Sequence, residues 1–215
     1  MSILADNEIH TLCALSDPMD IDFLLGDTHK KGSFTVGWRG PMIEPYIGEQ
    51  VSYNEKGDKI PSYGLSSAGY DIRLTNKFQL FTRPNDGRVI DVLNYKKDYL
   101  SEEIEGDSVV IPPGGFLLSH SVEYFQMPRR VVATCLGKST WARVGVIINV
   151  TPLEPGWSGH LVVEITNGTN LPQTIYSNVG IAQLMFHLMH SEPSTTYEDR
   201  DGKYQGQQGI TSTKL

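Results

Sequence analysis

Cysteine is almost absent from this sequence of 215 residues, which contains only Cys13 and Cys135. The two lie far apart and neither belongs to a Cys-x-x-Cys pair, so a structural zinc site of the four-cysteine kind is excluded. A disulfide-stapled scaffold is disfavoured as well, because such scaffolds need several cysteines in a short secreted chain. The cysteine content is typical of a protein in a reducing compartment.

Basic residues are in short supply: 18 lysines and arginines stand against 25 aspartates and glutamates, for a formal net charge of −7. Proteins that bind nucleic acid or an anionic membrane carry a basic footprint, and this composition argues against both partners. A phosphate-bearing ligand would have to be held by a few local groups against an unfavourable overall field.

Long apolar runs are missing too. No stretch approaches the roughly 20 apolar residues that span a bilayer. The first residues, Met1 to Asp6, show neither the basic region nor the apolar core of a signal peptide. Together these absences predict a soluble, cytoplasmic protein.

Short apolar runs separated by glycine and proline are present instead, from about residue 70 to residue 190. They are rich in β-branched and aromatic residues, as in Val146–Val150, and this pattern is typical of strands. Their recurrence without long helical periodicity predicts a mostly β protein, either a barrel or a sandwich. Short helices are predicted only within residues 3–15 and from Ser139 to Val144.

One domain with three regions is expected at this length. Residues 1–64 are predicted to form a helix and loop region, with one hairpin among the loops, packed on a barrel formed by residues 65–193. Residues 194–215 are polar and rich in glycine. This tail is either disordered or a flap that orders over a ligand.

The segment Gly137-Lys138-Ser139-Thr140 resembles the end of a phosphate-binding P-loop, but position 132 is Val132 where that motif requires glycine. A helix that opens with a lysine and two hydroxyls is still suited to an anion. Ser139 and Arg143 lie four residues apart and therefore share one face of this helix. The alternative is an ordinary capped helix with a solvated arginine.

Glu164 interrupts the apolar run Leu161–Ile165. On a strand, Val162 and Glu164 face one side, and Leu161, Val163 and Ile165 face the other. A carboxylate between apolar neighbours is costly unless it is paired, and desolvation raises its pKa, which suits a general acid/base. The alternatives are an exposed strand residue and a structural ion pair.

A series of short motifs stands in order along residues 42–211. They are Ser62-Tyr63-Gly64, Ala68–Arg73, Ile111-Pro112-Pro113, Val122–Phe125, Leu136–Arg143, Asn149–Pro152, Glu154–Trp157, Val163-Glu164 and Lys203–Gly209. Together these motifs resemble the dCTP deaminases, members of the trimeric dUTPase-like superfamily. The resemblance implies a distorted β-barrel of the dUTPase-like kind, mostly β with a few short helices.

The resemblance implies hydrolytic deamination of dCTP to dUTP and ammonia without zinc, in pyrimidine deoxynucleotide metabolism. The sequence agrees, since it lacks the P-C-x-x-C of the zinc deaminases, and His187 and His190 face opposite sides of a strand end, so that no metal site is predicted. By position, Glu164 matches the general acid/base. Ser139 and the carbonyl of Pro152 would hold the water, and Arg143 would stabilise the site electrostatically.

Substrate contacts carry over in the same way. The family's phosphate-binding segment corresponds to residues 138–143, its nucleoside contacts to Val162, Val163 and Glu164, and its sugar contact to Glu154. Further binding positions match Gln183, Tyr197 and Gln207, with Lys203 as a phosphate partner. The residues of the segment 138–143 are Lys138, Ser139, Thr140, Trp141, Ala142 and Arg143. The family implies Mg²⁺ carried by the triphosphate, and a homotrimer with sites shared between subunits.

Several alternatives stay open. The turn Pro152–Trp157 lacks the A-G-x-I-D pattern of bifunctional members, which favours an enzyme that releases dUTP over a dUTPase or a bifunctional deaminase/dUTPase. A non-catalytic nucleotide sensor on the same fold is a further alternative, for which dCTP or dTTP would be the ligand. Candidate small-molecule partners are dCTP, dCMP, the product dUTP, and dTTP as a feedback inhibitor. Residues from about 16 to 40 make the N-terminal region longer than is usual in that family, and no function follows for them.

Overall fold

The structure is a computed structural model that describes residues 2–14, 40–81, 89–96 and 99–214. The long N-terminal region of about residues 16–40 therefore lies outside the described residues except for Gly40. Within the described ranges the helices are α1 (Asp6–Ala14) and α2 (Ser139–Ala142). The strands are β1 (Ser2–Ile3), β2 (Ile43–Glu44), β3 (Gln50–Tyr53), β4 (Lys59–Ser66), β5 (Gly69–Leu80), β6 (Ile104–Glu105), β7 (Ser108–Ile111), β8 (Phe116–Gln126), β9 (Val131–Gly137), β10 (Val146–Asn149), β11 (Ser158–Asn167), β12 (Gln173–Tyr176) and β13 (Gly180–Leu188).

Most of these strands belong to one antiparallel sheet, whose main path runs β1-β13-β5-β8-β11-β10. Strand β2 joins it at β8, β9 joins at β13, and β4 (with β3) and β6 join at β5, whereas β7 and β12 form a separate pair. The twelve-residue strand β5 pairs with both β13 and β8 and changes register between Leu74 and Phe78. The predicted mostly β, distorted barrel is confirmed.

The core follows from alternation along the strands. On β11 the buried residues are Gly159, Leu161, Val163, Ile165 and Asn167, and the residues between them are half-buried. This is the period-2 pattern of a strand with one face on the core. Fully buried aromatic side chains from neighbouring strands, including Phe78, Phe125 and Phe186, fill the same interior.

The N-terminal elements are joined to this core. The Leu4 amide donates to the Phe186 carbonyl (2.9 Å) beyond β1, and α1 buries Ile9 and Leu12. The predicted helix within residues 3–15 and a predicted hairpin, formed by β3 and β4, are both present. No helix in the described ranges is long and apolar enough to cross a membrane. The three-region division stays a prediction; its first boundary, at residue 64, falls inside β4.

A buried ion pair ties β5 to β8. The Arg73 Nε donates to Glu123 Oε1 at 2.8 Å, and the Arg73 backbone amide donates to the other carboxylate oxygen at 3.1 Å. The Glu123 side chain is fully buried and the Arg73 side chain is 13% exposed. The Arg73 guanidinium also lies 4.7 Å from the centre of the Tyr63 ring, which connects the pair to β4.

Replacing Glu123 by alanine is expected to lower the free energy of unfolding by about 3–5 kcal/mol, because it leaves a buried guanidinium without its counter-charge. Urea denaturation measures the change. The matched control is Glu103→Ala, which breaks the Lys77–Glu103 pair at 3.0 Å between side chains that are 44% and 42% exposed. That variant is expected to unfold at nearly the wild-type urea concentration. Equal effects of the two substitutions would contradict the special role of the buried pair.

Candidate functional site

A cavity of about 590 Å³ opens on the face of β8 and β11 that carries Glu164. The turn after β10, the segment from residue 90 to 95 and the C-terminal tail form its other walls. Its volume is in the range typical of small-molecule sites. The lining residues are Phe81, Ile90, Val92, Tyr95, Phe116, Leu118, Val150, Thr151, Pro152, Leu153, Glu154, Trp157, Leu161, Val162, Glu164, Tyr197, Tyr204, Gln207, Thr211 and Thr213.

Glu164 is the carboxylate at the centre of this face. It pairs in register with Leu118 on β8 and with Asn149 on β10, so its side chain projects beside an apolar neighbour. Its Oε2 atom is buried and has no hydrogen-bond partner among the described residues. Burial raises the pKa of Glu164 to about 7, a shift that a hydrogen bond from its own backbone amide opposes. A group with this pKa exchanges protons readily near neutral pH.

Polar groups of the turn and the tail line the cavity opposite Glu164. The Glu154 carboxylate accepts a hydrogen bond from the Arg200 guanidinium, which lies 5.1 Å from the centre of the Tyr197 ring. The Gln207 amide nitrogen donates to the His160 carbonyl at 2.9 Å. Pro152 lies in the same wall and is exposed to solvent. Six predicted site residues therefore meet at one cavity: Pro152, Glu154, Val162, Glu164, Tyr197 and Gln207.

The tail is fastened to the start of β11. The Trp157 indole nitrogen donates to the Tyr204 carbonyl at 3.0 Å, and the Gly206 amide donates to the Ser158 carbonyl at 2.9 Å. A parallel bridge joins Gly159 and Gln207. Gly159 has φ +150°, and a Cβ atom there would lie 2.9 Å from the Gln207 backbone nitrogen. Glycine at this position therefore allows the tail backbone to approach the strand.

Arg129 holds the beginning of the C-terminal tail by hydrogen bonds to two acidic side chains. Its Nε donates to Glu192 at 2.5 Å and its Nη2 donates to Asp199 at 2.7 Å. The hydrogen bonds from Arg129 hold the pKa of Asp199 well below its usual range. This network could not be predicted from the sequence, since Arg129 lies more than 60 positions from both acidic partners along the chain.

The residues of α2 do not line the cavity of the same chain. Ser139, Thr140, Ala142 and Arg143 are exposed, and the Arg143 Nη1 donates to the Ser139 hydroxyl at 3.2 Å, as expected for side chains on one helical face. Trp141 is buried, and its indole nitrogen donates to the Gly180 carbonyl at 2.8 Å. This contact anchors the short helix to β13.

Lys138 is engaged elsewhere. Its ammonium group binds the buried Asp71 carboxylate and donates to the Ser62 hydroxyl at 3.2 Å. The family resemblance predicts Lys138 among the phosphate contacts, whereas its partner in the structure is Asp71. The ion pair holds the chain at the entrance to α2.

Three further predicted residues lie outside the cavity lining. The Val163 side chain is fully buried in the core, on the face of β11 opposite Glu164. The Gln183 amide nitrogen donates to the Ser66 hydroxyl at 3.0 Å. Lys203 is exposed, and its ammonium group donates to the Lys214 carbonyl at 2.9 Å.

The cavity also has an apolar wall that was not predicted. The Phe81 and Phe116 rings meet edge to face, with centroids 4.9 Å apart, and Leu118 continues this wall toward Glu164. Alternation along β8 places Phe116 and Leu118 on one face, but only the register with β11 shows that it is the face of Glu164. Within the part of the chain that the structure describes, no three histidine, cysteine, aspartate or glutamate side chains are grouped as metal ligands.

The cavity thus holds a desolvated carboxylate, one oxygen of which has no hydrogen-bond partner among the described residues. Cavities of this size with such a carboxylate belong to the class of small-molecule sites that support acid–base chemistry. Comparison with known proteins defines the family. Residues 42–189 match the family model described as dCTP deaminase-like, so the chain belongs to the dCTP deaminase-like family.

Individual relatives point to the same family as the family model. The chain is 48% identical over 174 residues to the dCTP deaminase of Acinetobacter baumannii (strain AYE), covering 80% of this chain and 90% of that protein. It is 49% identical over 171 residues to the dCTP deaminase of Paraburkholderia xenovorans (strain LB400), covering 79% and 89%. The crystal structure of the 2'-deoxycytidine 5'-triphosphate deaminase from Agrobacterium tumefaciens shares the fold, with a TM-score of 0.55 at 18% identity. That match covers 88% of this chain and 49% of the Agrobacterium chain, so this chain spans about half the length of the Agrobacterium protein.

Replacing Glu164 by glutamine is expected to stabilise the protein at pH 8. The folded-state pKa of about 7 lies above the ordinary value of 4.5, so the wild type carries a poorly solvated charge above pH 7 and a neutral carboxyl below pH 4.5. Relative to the variant, wild-type stability therefore falls as pH rises through this window, by about 1–2 kcal/mol after allowance for solvent screening. Thermal unfolding at pH 4.5 and pH 8 measures the difference. A difference in stability between the two proteins that is independent of pH would contradict the raised folded-state pKa of Glu164.

Proposed function

We propose that this protein is a dCTP deaminase, which converts dCTP and water to dUTP and ammonia without zinc. The observation that carries the proposal is the unpaired Glu164 carboxylate, with a pKa of about 7, in the cavity. The dCTP deaminases that are 48–49% identical over most of the chain supply the substrate class.

Glu164 acts as the proton carrier in this proposal. Its carboxylate takes a proton from water as the oxygen bonds to C4 of the cytosine ring, and it delivers that proton to N3. It then transfers the proton of the new hydroxyl to the amino group, the C4–N bond breaks, and ammonia leaves. The ring that stays is uracil, with a carbonyl at C4 and a proton at N3. A pKa near the working pH allows one group to serve as base and then as acid.

The water and the developing charge need further groups. The carbonyl of Pro152, in the cavity wall, and the Ser139 hydroxyl hold the water, and Arg143 stabilises the negative charge. Since Ser139 and Arg143 do not line the cavity of their own chain, we place them in the cavity of a neighbouring subunit of a homotrimer. Exposed apolar side chains around α2, namely Leu136, Val144 and Ile147, each more than half exposed, support a subunit contact there.

The nucleoside occupies the cavity, with the sugar near Glu154 and with Val162, Tyr197 and Gln207 in contact. The triphosphate extends toward the partner's Arg143 and toward Lys203, and Mg²⁺ enters with it as part of the substrate. We infer that dTTP, which has the same sugar and triphosphate, competes for this cavity as an inhibitor. The enzyme thereby serves pyrimidine deoxynucleotide metabolism.

The wild-type protein is expected to release ammonia and form dUTP from dCTP and Mg²⁺, with kcat/KM rising from acid pH to about 7 as Glu164 ionises. Glu164→Gln is expected to bind dCTP with near wild-type affinity and to lose about 10²–10⁴-fold in kcat, the usual contribution of a general acid/base. Chromatography of the products and calorimetric titration with dCTP measure the two quantities.

Separate incubations with dCTP, dCMP and dUTP discriminate the alternatives. Pyrophosphate release from dUTP would indicate a dUTPase or a bifunctional enzyme. Tight dCTP or dTTP binding without turnover would indicate a nucleotide sensor. A fully active Glu164→Gln variant would remove Glu164 from the proton-transfer role.

Subunit mixing tests the shared site. Glu164→Gln and Arg143→Ala are each expected to be inactive, whereas a one-to-one mixture, dissociated and reassembled, is expected to regain about one quarter of wild-type activity, because random assortment in a symmetric oligomer pairs the intact groups in that share of sites. The control mixes Glu164→Gln with the double variant Glu164→Gln, Arg143→Ala, which has no intact glutamate to contribute. A mixture as inactive as this control would show that each site is built within one chain.

A further inference from the structure

Two lysines, eleven residues apart in the tail, hold each other in place. The Lys203 ammonium donates to the Lys214 carbonyl at 2.9 Å, and the Lys214 ammonium donates to the Lys203 carbonyl at 3.0 Å. The Lys214 backbone amide donates to the Tyr204 hydroxyl at 3.1 Å. Both ammonium groups lie near the Tyr204 ring, 5.7 and 5.6 Å from its centre. The arrangement, which we call the lysine pair, places both ammonium groups beside one aromatic ring.

The lysine pair has no carboxylate partner in the part of the chain that the structure describes. Within the described residues neither ammonium group forms an ion pair with a carboxylate, although the chain carries seven more acidic than basic side chains. The neighbouring cations are paired, since Arg200 binds Glu154 and Arg129 binds Glu192 and Asp199. Exposed ammonium groups without a carboxylate partner can donate charge-assisted hydrogen bonds to an anionic ligand.

The position of the lysine pair points to the ligand. Tyr204 and Thr213, which are adjacent in sequence to the two lysines, line the cavity, while the lysines themselves are exposed. The cavity carries the carboxylates Glu154 and Glu164, whereas both ammonium groups of the lysine pair lie beside the ring of Tyr204, one of its lining residues. This separation of charge matches a nucleotide whose base and sugar lie inside and whose phosphates lie at the rim.

We propose that Lys214 is a second phosphate-binding residue, which acts with Lys203 on the terminal phosphates and makes the site selective for nucleoside triphosphates over monophosphates. This inference rests on the proposed function for the identity of the nucleoside, but the lysine pair as a polyphosphate site is testable without turnover. Charge-assisted hydrogen bonds from two ammonium groups favour a group with several negative charges over one phosphate.

If the lysine pair had only a structural role, its loss would affect dCTP and dCMP differently from the loss of a phosphate-binding residue. If the two lysines only fastened the tail, loss of one would loosen Tyr197 and Gln207 as well, and dCTP and dCMP would lose affinity together. A phosphate-binding role weakens dCTP alone, since dCMP has no terminal phosphates.

The kinetic test compares Lys214→Ala with wild type, using dCTP as substrate and dCMP as substrate or competitive inhibitor. We expect the KM for dCTP to rise about 10- to 100-fold, as is typical when a charged hydrogen-bond donor is lost. The KM or inhibition constant for dCMP should stay within about twofold, and Lys214→Arg should retain most of the dCTP affinity. Lys56→Ala, which removes an exposed lysine in the β3–β4 turn, is the control and should leave both constants unchanged. Equal losses for dCTP and dCMP, or no loss for either, would overturn the proposal.

A binding test separates this inference from the proposed function. Calorimetric titration with inorganic tripolyphosphate should show binding to the wild type and about 10- to 100-fold weaker binding to Lys214→Ala. Tripolyphosphate binding that depends on Lys214, in a protein that deaminates no deoxycytidine nucleotide, would sustain the lysine pair and overturn the deaminase. Deamination of dCTP together with tripolyphosphate binding that ignores Lys214 would sustain the deaminase and overturn the lysine pair.

Discussion

The antiparallel ladder between β8 and β11 is the constraint on which the site depends. It sets Glu164 opposite Leu118, on the face that holds the cavity, and it leaves one carboxylate oxygen buried without a partner among the described residues. A shift of one residue in this register would turn Glu164 into the core and Val163 out of it. The ladder is in turn fixed by β5, which the Arg73–Glu123 pair ties to β8. The reactive character of Glu164 is therefore a product of the sheet as a whole.

Around this carboxylate the cavity is built from strands on one side and from a turn and the C-terminal tail on the other. The strands supply Glu164 and the apolar wall, and rigid elements hold catalytic groups more precisely than loops do. The turn after β10 and the tail supply the polar groups that line the rest of the cavity. The ion pair between Lys138 and Asp71 and the buried Trp141 hold α2 against the same barrel, but they direct Ser139 and Arg143 outward. That division is the physical reason for proposing a site built from two subunits.

Local pattern was sufficient for part of this arrangement. Period-2 alternation predicted that Val162 and Glu164 share a face and that desolvation would raise the pKa of Glu164, and helical spacing predicted the common face of Ser139 and Arg143. The family resemblance added the β-barrel and the order of the motifs. Contacts between distant parts of the chain could not be predicted, because they depend on register and on how the tail closes. Examples are the partner of Lys138, 67 positions away, and the apolar wall formed by Phe81 and Phe116. Which residues would face a neighbouring subunit of the proposed homotrimer also depends on surfaces that no single-chain pattern reveals.

The attachment of the tail has a kinetic consequence. At β11 the tail is held by a few backbone and amide hydrogen bonds along a single parallel bridge at Gly159, whereas the barrel is held by a continuous apolar core. Segments with few buried apolar contacts open at a much lower free-energy cost than the core. We therefore expect the tail to open more often than the barrel unfolds, and we expect the residence time of a ligand in the cavity to depend on how often the tail opens.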